Sequence, residues 1–233
     1  MNLEQQKRIK NYLFRIGLSF DLQLEFYDHI SSQIEELMAE GNDFETSFSI
    51  VKINWKSELR LVKMNFFSTV TMPRIQKKMV GKSLTQIYKK AIAAALFVFA
   101  LFVIFVKLVS LDYFLSLFSY YYYLLFAGMV IYSIINYPLY KMARKYRKPS
   151  IASGQIHIPI MITGFLFTLI QIFDAEIQGT RFYTLVQNMF TENAKYKHLV
   201  GFLGYNILAY AGIFAVYNFT QEYNKIKPFL KIS

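Results

Sequence analysis

Cysteine is absent from this chain, so disulfide bridges and thiolate metal sites are excluded. The chain also contains no nucleotide-binding glycine loop, no zinc-protease helix and no nucleophile elbow. Its N-terminus lacks the short basic, apolar and small-residue pattern of a cleavable secretory signal. We therefore expect no enzymatic activity and no cofactor, and we expect the first apolar segment to direct the chain to its membrane.

Acidic residues are scarce as well, because 15 Asp and Glu stand against 26 Lys and Arg, which gives a net charge of +11. The chain is rich instead in long runs without a charged side chain. A helix that rises about 1.5 Å per residue needs roughly 20 residues to cross about 30 Å of hydrocarbon. The runs therefore predict four membrane-spanning helices, at residues 91–110, 119–140, 152–173 and 199–219.

Basic residues gather at one set of span ends. Eight occur from Glu58 to Lys90, five in the loop Lys141–Lys148 and three in the tail 222–233. Basic loops are retained on the cytoplasmic side, so the pattern predicts a multi-pass membrane protein with both termini in the cytoplasm. Such bases are expected to meet anionic inner-leaflet lipids rather than nucleic acid. The lipid contacts that we predict are Lys77, Lys78, Lys82, Arg144, Lys145 and Arg147.

Residues 1–72 have the pattern of a separate three-helix module. Apolar residues recur every three or four positions in Leu3–Ile16 and again in Asp21–Glu40, with Gly41 as the cap of the second helix. Asn42 with Glu45 fits a capping box for the third helix. One apolar stripe follows that helix and predicts the core of the module, with any surplus apolar surface as a docking face: Phe44, Phe48, Val51, Trp55, Leu59 and Val62.

The charge of this module differs from that of the rest of the chain. Residues 1–57 carry nine acids and six bases, and they form the only net acidic region. Residues 73–90 follow as a basic amphipathic helix beside the membrane, either a signal-transmitting linker or an ordinary positive flank. The predicted fold is therefore all-α, with a cytoplasmic helical module followed by a four-helix transmembrane bundle.

Polar residues offer few candidate sites. His157 and Gln171 lie in the third predicted span, where they form either a proton or substrate relay or hydrogen bonds between helices. Glu25, Asp28 and His29 share a helix face, which is half of a metal site or simply a solvated face. The sequence requires no metal.

Aromatic and small residues mark the other spans. Tyr120–Tyr123 covers a whole helix circumference, which indicates an interfacial belt or a ligand-stacking wall. Ala211 and Ala215 form a small-xxx-small pair in the fourth span, for packing within the bundle or for a homo-oligomer.

Several residues of the module carry a family resemblance: Tyr27, Asp28, His29, Ile30, Glu35, Gly41, Glu45 and Ser47. This series resembles the HAAS domain, a short helical cytoplasmic domain that precedes transmembrane segments in small bacterial membrane proteins. The resemblance implies signalling or regulation through a cytoplasmic protein partner, and it implies no catalytic residues. With this resemblance, the sequence favours a regulatory or interaction protein of the bacterial inner (cytoplasmic) membrane. A small transporter or permease component, with its passage past His157 and Gln171, and a structural subunit of a membrane complex are the alternatives.

Overall fold

A computed structural model describes residues 1–63, 71–138, 141, 154–189 and 196–230. The chain is mostly helical, and within these ranges it has two short strands, β1 (Leu61–Lys63) and β2 (Thr71–Pro73). The helices are α1 (Leu3–Ile16), α2 (Phe20–Ala39), α3 (Phe44–Leu59), α4 (Arg74–Leu108), α5 (Leu111–Ile135), α6 (Gly154–Phe173), α7 (Ala175–Gln187) and α8 (Lys197–Leu230). Two compact units result, the N-terminal module (Met1–Ser83) and the helical bundle (the described residues of Leu84–Met142 and Ile156–Ser233).

Local signals define the ends of the first helices. Asn2 begins α1 with a capping box, in which its side chain and that of Gln5 accept each other's backbone N–H. Gly17 and Gly41 follow α1 and α2 with φ of 78° and 100°, a left-handed conformation that favours glycine. The predicted boundaries of these two helices agree with the structure within one residue.

The cap of α3 differs from the prediction. Asp43, not Asn42, is the N-cap, and its carboxylate accepts the Thr46 backbone N–H at 2.7 Å. This hydrogen bond lowers the pKa of Asp43. Asn42 belongs to the preceding turn, where its side-chain amide donates to the Leu37 carbonyl. Two adjacent residues that can both cap a helix cannot be ranked without the backbone conformation.

The N-terminal module has its own apolar core. α2 packs against both α1 and α3, and residues at helical spacing on each helix are buried between them. Trp55 packs edge-on against Phe26, with 4.9 Å between ring centroids, and its indole N–H donates to the Gln33 side chain. The buried residues of this core include Ile9, Leu13, Leu22, Phe26, Ile30, Ile34, Phe44, Phe48 and Val51.

A small antiparallel sheet follows α3, so the expectation of an all-α chain was wrong at this point. Arg60 leaves the helical conformation, with ψ of 134°, and ends α3 one residue before β1. Val62 therefore pairs with Met72 in the sheet and does not extend the helical stripe. Pro73 is the last residue of β2, where its missing N–H removes no hydrogen bond from the sheet. α4 begins at the next residue.

Residues 74–90 of the predicted basic segment and residues 91–108 of the first predicted span form one continuous helix, α4. Within the described residues α4, α5 and α8 are each long and apolar enough to cross a membrane. The third predicted span corresponds to α6, which is followed by α7 after a bend of 82°; the pair makes a fourth crossing if it is one span. The prediction of several apolar membrane-length helices is thus confirmed.

α8 is the central helix of the bundle. Its Ala211 and Ala215 are fully buried against Ile87 and Ala91 of α4, so the small-xxx-small pair serves packing within the chain. Gly212, on the same helix, touches Gly164 of α6. Small side chains let these backbones approach closely, which is the usual means of packing helices in lipid.

α7 lies between the third and fourth predicted spans, 152–173 and 199–219, where we predict no further helix from the sequence. Its buried face packs on α5, since a Cβ at Gly179 would lie 2.7 Å from the Leu115 side chain, and on α8, where the Phe182 and Phe202 rings are 4.4 Å apart. Two of its polar side chains, Tyr183 and Gln187, donate to carbonyls near the end of α4. The helical spacing of its buried residues was readable in the sequence: Ala175, Gly179, Phe182, Leu185 and Val186.

The outer surface of the bundle is apolar. On α6 between His157 and Phe173, the four buried residues are polar or glycine, whereas the strongly exposed ones are large and hydrophobic. Water-soluble proteins rarely expose contiguous apolar area on this scale, and lipid tails would cover it without cost. This arrangement is consistent with a membrane protein. The buried set is His157, Gly164, Thr168 and Gln171, and the exposed set is Pro159 together with the large apolar residues Ile158, Ile162, Leu166, Ile170 and Phe173.

Candidate functional site

The apolar stripe of α3 lies inside the N-terminal module. Phe44, Phe48, Val51 and Leu59 are buried, and Trp55 is partly buried. These residues therefore form core and are not available to a partner. The surplus apolar surface lies elsewhere on the module, at Phe14 of α1, at Ile50 and Ile53 of α3 and at Leu61 of β1.

α2 presents an acidic face to solvent. The helix carries five carboxylates and no lysine or arginine, although the whole chain has a net charge of +11. Four of the carboxylates and His29 are exposed on one side, with Ser32 at the centre. Glu35 accepts the N-terminal ammonium at 3.4 Å. The exposed carboxylates are Glu25, Asp28, Glu35 and Glu36.

The first turns of α4 carry the described members of the predicted inner-leaflet set. Lys77, Lys78 and Lys82 are all exposed. Lys77 donates to the Lys63 carbonyl of β1 at 2.9 Å, and Lys78 pairs with Glu58 of α3 at 2.8 Å. The Lys78 hydrogen bond lowers the pKa of Glu58. Two of the three lysines thus also fasten α4 to the rest of the module.

The other predicted inner-leaflet residues, Arg144, Lys145 and Arg147, lie outside the described residues.

The predicted intramembrane pair does not form a single site. His157 and Gln171 are both about 1 % exposed on the inner face of α6, but 14 residues separate them, or about 21 Å along the helix. Thr168 is buried between them and donates to the Gly164 carbonyl at 2.9 Å. The Gln171 side-chain N–H group has no hydrogen-bond partner among the described residues.

Gly164 closes the space between the two. A Cβ placed on it would lie 2.6 Å from the Gly212 Cα, so the backbones of α6 and α8 are in direct contact at this level. A solute could not pass between these helices from one end of the polar face to the other without separating them. The arrangement therefore fits helix packing better than a relay.

A second polar cluster lies inside the bundle, and the sequence analysis did not identify it. Asn206 of α8 is fully buried; its amide donates to the Tyr122 hydroxyl and to the Phe202 carbonyl, both at 2.9 Å. The Tyr121 hydroxyl lies 3.3 Å from the Asn206 carbonyl oxygen and 2.7 Å from the Tyr210 hydroxyl. This network joins α5 to α8. Asn206 in the middle of the fourth predicted span could have indicated this network, since a polar side chain there usually forms hydrogen bonds with a neighbouring helix.

The tyrosine run of α5 therefore has two roles. Tyr121 and Tyr122 turn inward to the network, whereas Tyr120 and Tyr123 are exposed, as a belt requires. Beside them a groove of about 650 Å³ opens between α4 and α5, and its walls are apolar or aromatic. In a bilayer such a groove would be filled by lipid tails. The run does not form an enclosed aromatic wall.

The acidic and histidine residues do not assemble a metal site within the described ranges. No group of three or more His, Cys, Asp or Glu side chains there could hold a metal ion. Glu25, Asp28 and His29 thus remain the solvated face of α2 that one of the two interpretations predicted. The carboxylates and His29 of this face are exposed to solvent.

Comparisons with known proteins identify no relative. No family model matches the chain, and neither a curated protein nor a solved structure does. The HAAS resemblance of the module stays a prediction based on Tyr27–Ser47. Function must therefore be inferred from the surfaces of the module and from the interior of the bundle.

Proposed function

We propose that the chain is a regulatory or interaction protein of the bacterial inner membrane, with the N-terminal module and both termini in the cytoplasm. In this proposal α4, α5, α6 and α8 each cross the membrane and anchor the module. The module binds a soluble protein partner through the acidic face of α2. A homo-oligomer remains compatible with this arrangement.

The observation that carries the proposal is the division of the described residues into a module with its own apolar core and a separate unit of membrane-length helices. The residues of the stripe Phe44–Leu59 pack in the core, so a partner can contact only the outer faces of the module. Its most distinctive outer face is α2, where carboxylates stand together without a basic neighbour on the helix. A basic protein surface complements this face, and such complementarity favours rapid and selective association.

The membrane orientation is supported by the charge distribution. Lys77, Lys78 and Lys82 precede the first crossing, and the remaining predicted contacts follow the second crossing in the sequence. An even number of crossings places all these bases, and the C-terminal tail, on one side. α6 must then be a full crossing, for which its 20 residues are sufficient.

The direct contact of Gly164 with Gly212 argues against the transporter alternative. The passage considered from the sequence would run past His157 and Gln171, and this contact lies between them. An anchor needs no passage. We therefore do not retain a transport function as a second candidate.

The partner proposal can be tested in cells with a photo-crosslinking amino acid at Ser32, in the middle of the acidic face. We expect one discrete adduct with a protein that has a basic surface, identified by mass spectrometry. The adduct should disappear when Glu35→Lys and Glu36→Lys reverse the charge of the face. The same amino acid at Asn11, an exposed position of α1, is the matched control.

Absence of an adduct from Ser32, or an adduct that is insensitive to both charge reversals, would contradict the proposed partner site. An equal adduct from Asn11 would do the same, because it would indicate unspecific collision with the module.

A further inference from the structure

The outer face of α3 is apolar at its centre, opposite the buried stripe. Ile53 is 67 % exposed and Ile50 is 36 % exposed. Their neighbours on this side are small and polar, Ser49 and Ser57, which are exposed as well. These isoleucines contribute nothing to the core, because Phe48 and Val51 occupy the opposite side of the helix. Among the described residues, the module therefore presents an apolar helix face to solvent.

Basic residues flank this face at the C-terminal end of α3, next to β1. Lys56 and Arg60 lie on the same side of α3 as Ile53, at helical spacing, and both are exposed. The strand that follows adds exposed Leu61 and Lys63. The chain thus continues the pattern of apolar and basic residues from the last turns of α3 into β1.

Carboxylates are turned away from the same face. Glu58 lies on the side of α3 that meets α4, where it is paired with Lys78. Glu45 lies at the edge of the face, near its beginning, and is paired with Arg8 of α1. The two nearest acids are therefore already engaged by other bases. The electrostatic character of the face is set by its lysine and arginine.

We propose that this face, formed by Ile50, Ile53, Lys56 and Arg60, binds an anionic lipid surface. The isoleucines enter the headgroup region, and the two cations meet lipid phosphates, as in helices that lie in the membrane interface. Charge complementarity selects the occupant, since a surface that is apolar and cationic matches an anionic leaflet, whereas the acidic face of α2 does not.

The module is covalently connected to a membrane-length helix. The module includes the first turns of α4, with exposed Arg74, Lys77 and Lys82, and the same helix continues into the first membrane-length segment. This tether gives the lipid surface a high effective concentration at the module, so weak contacts suffice for binding. The inference rests on the proposed cytoplasmic placement only in assigning the surface to the inner leaflet.

The absence of cysteine permits a direct test in the full-length protein. A single cysteine replaces Ser57, which lies beside Ile53 and leaves the apolar and cationic residues intact. It carries an environment-sensitive fluorophore, and the protein is reconstituted in vesicles that contain doxyl-labelled lipid as a quencher. A cysteine at Ser32, on the acidic face of α2, is the matched control.

We expect strong quenching at residue 57 in vesicles of phosphatidylcholine mixed with phosphatidylglycerol. Quenching should be several-fold weaker in phosphatidylcholine alone, and it should fall at high salt because the cations are screened. Residue 32 should show little quenching in either vesicle. Lys56→Glu with Arg60→Glu should abolish the difference between the two lipids, and Ile50→Ser with Ile53→Ser should reduce quenching in both. Fluorescence of the single tryptophan, Trp55, in unlabelled protein checks that each variant is folded.

Equal and weak quenching at residues 57 and 32 in anionic vesicles would overturn the lipid proposal. So would a label at residue 57 that is shielded in detergent and unaffected by doxyl lipid, because a protein surface would then cover α3. Both leaflets of these vesicles have the same composition, so the result does not depend on orientation. Failure of the lipid contact is thereby distinguishable from failure of the proposed placement or of the partner site.

Discussion

Gly164 of α6 and Gly212 of α8 touch backbone to backbone in the middle of the helical bundle. A Cβ at Gly164 would lie 2.6 Å from the Gly212 Cα, and a Cβ at Gly212 would lie 2.7 Å from the Gly164 Cα. Neither neighbour is a flexible side chain that could move aside. The contact therefore fixes the separation of the two helices, and any larger residue must push them apart.

Gly164→Ala is expected to destabilise the bundle by about 1–3 kcal/mol, the usual cost of overpacking a close contact. The unfolding of detergent-solubilised protein, followed by circular dichroism, measures this change. Gly204→Ala on α8 is the control, because a Cβ there meets nothing within 4 Å. Equal stability of the two variants would contradict a rigid contact between α6 and α8.

Tyr122→Phe removes the hydroxyl that accepts the Asn206 amide in the buried network. Hydrogen bonds between membrane helices contribute about 0.6 kcal/mol on average and at most roughly 1.7 kcal/mol, so we expect a loss in this range. The same unfolding assay detects it. Tyr123→Phe, at an exposed position of the same helix, should leave the stability unchanged. A larger effect from Tyr123→Phe would show that the network is not the relevant contact.

Phe48→Ala is expected to unfold the N-terminal module. Truncation of a buried phenylalanine costs about 3–5 kcal/mol, which is comparable to the whole stability of a domain of this size. Denaturant titration followed by Trp55 fluorescence reports on the module alone, since the chain has one tryptophan. Ile53→Ala, on the exposed face of the same helix, should change the stability by less than about 0.5 kcal/mol. A stable Phe48→Ala module would contradict the assignment of the stripe to the core.

The module should lose stability in acid. The Lys78 hydrogen bond lowers the pKa of Glu58 in the folded state, so the folded protein binds that proton less readily than the unfolded chain does. The stabilisation is complete above the unfolded pKa, about 4.3, and disappears as the pH falls through the lower folded value. The Thr46 hydrogen bond lowers the pKa of Asp43 and adds a contribution of the same sign.

The Trp55 unfolding midpoint, measured from neutral to acidic pH, checks this dependence. Glu58→Gln should weaken the dependence, and Lys78→Gln should weaken it less, because the Arg74 charge still lowers the pKa of Glu58 after the ion pair is removed. An unchanged pH profile in both variants would rule out this pair as a source of the acid sensitivity.

The number of crossings determines the side of the C-terminus. Four crossings require single cysteines at Ser32 and Ser233 to react with a membrane-impermeant maleimide only after permeabilisation, and one at Ser110, between α4 and α5, to react in intact cells. If the bent pair α6–α7 is re-entrant, Ser233 would be labelled from outside. That result would leave three crossings and overturn the proposed placement of the C-terminus.

Local signals in the sequence were sufficient for much of the module and for the membrane-length helices. Gly17 and Gly41 follow the ends of helices because the left-handed conformation favours glycine. The long runs without a charged side chain predict helices in lipid, where a helix satisfies its own backbone hydrogen bonds. Asp43 and Val62 show where such signals fail. The choice between two adjacent caps, and the end of α3 before β1, depend on the path of the backbone after it has packed.

In the bundle interior, too, the sequence predicted some features, and others depend on contacts in the folded structure. The polar and small residues of α6 were visible in the sequence, but the meeting of Gly164 with Gly212 and of Tyr122 with Asn206 requires partners on a distant helix. The spacing of Gly179 and Phe182 indicates a helix at α7, but the position of this helix depends on its packing against α5 and α8. Such contacts join residues far apart in the chain, and periodicity carries no information on which faces meet.

The absence of cysteine and the segregation of apolar runs from basic segments by themselves determined a helical, membrane-type chain without disulfides or thiolate sites. Those properties follow from side-chain chemistry and helix length alone. The tertiary structure decided which helix faces meet, placing Tyr122 against Asn206. It also brought Gly164 of α6 against Gly212 of α8, at a level between His157 and Gln171. Both depend on packing between distant segments, which no single stretch of sequence specifies.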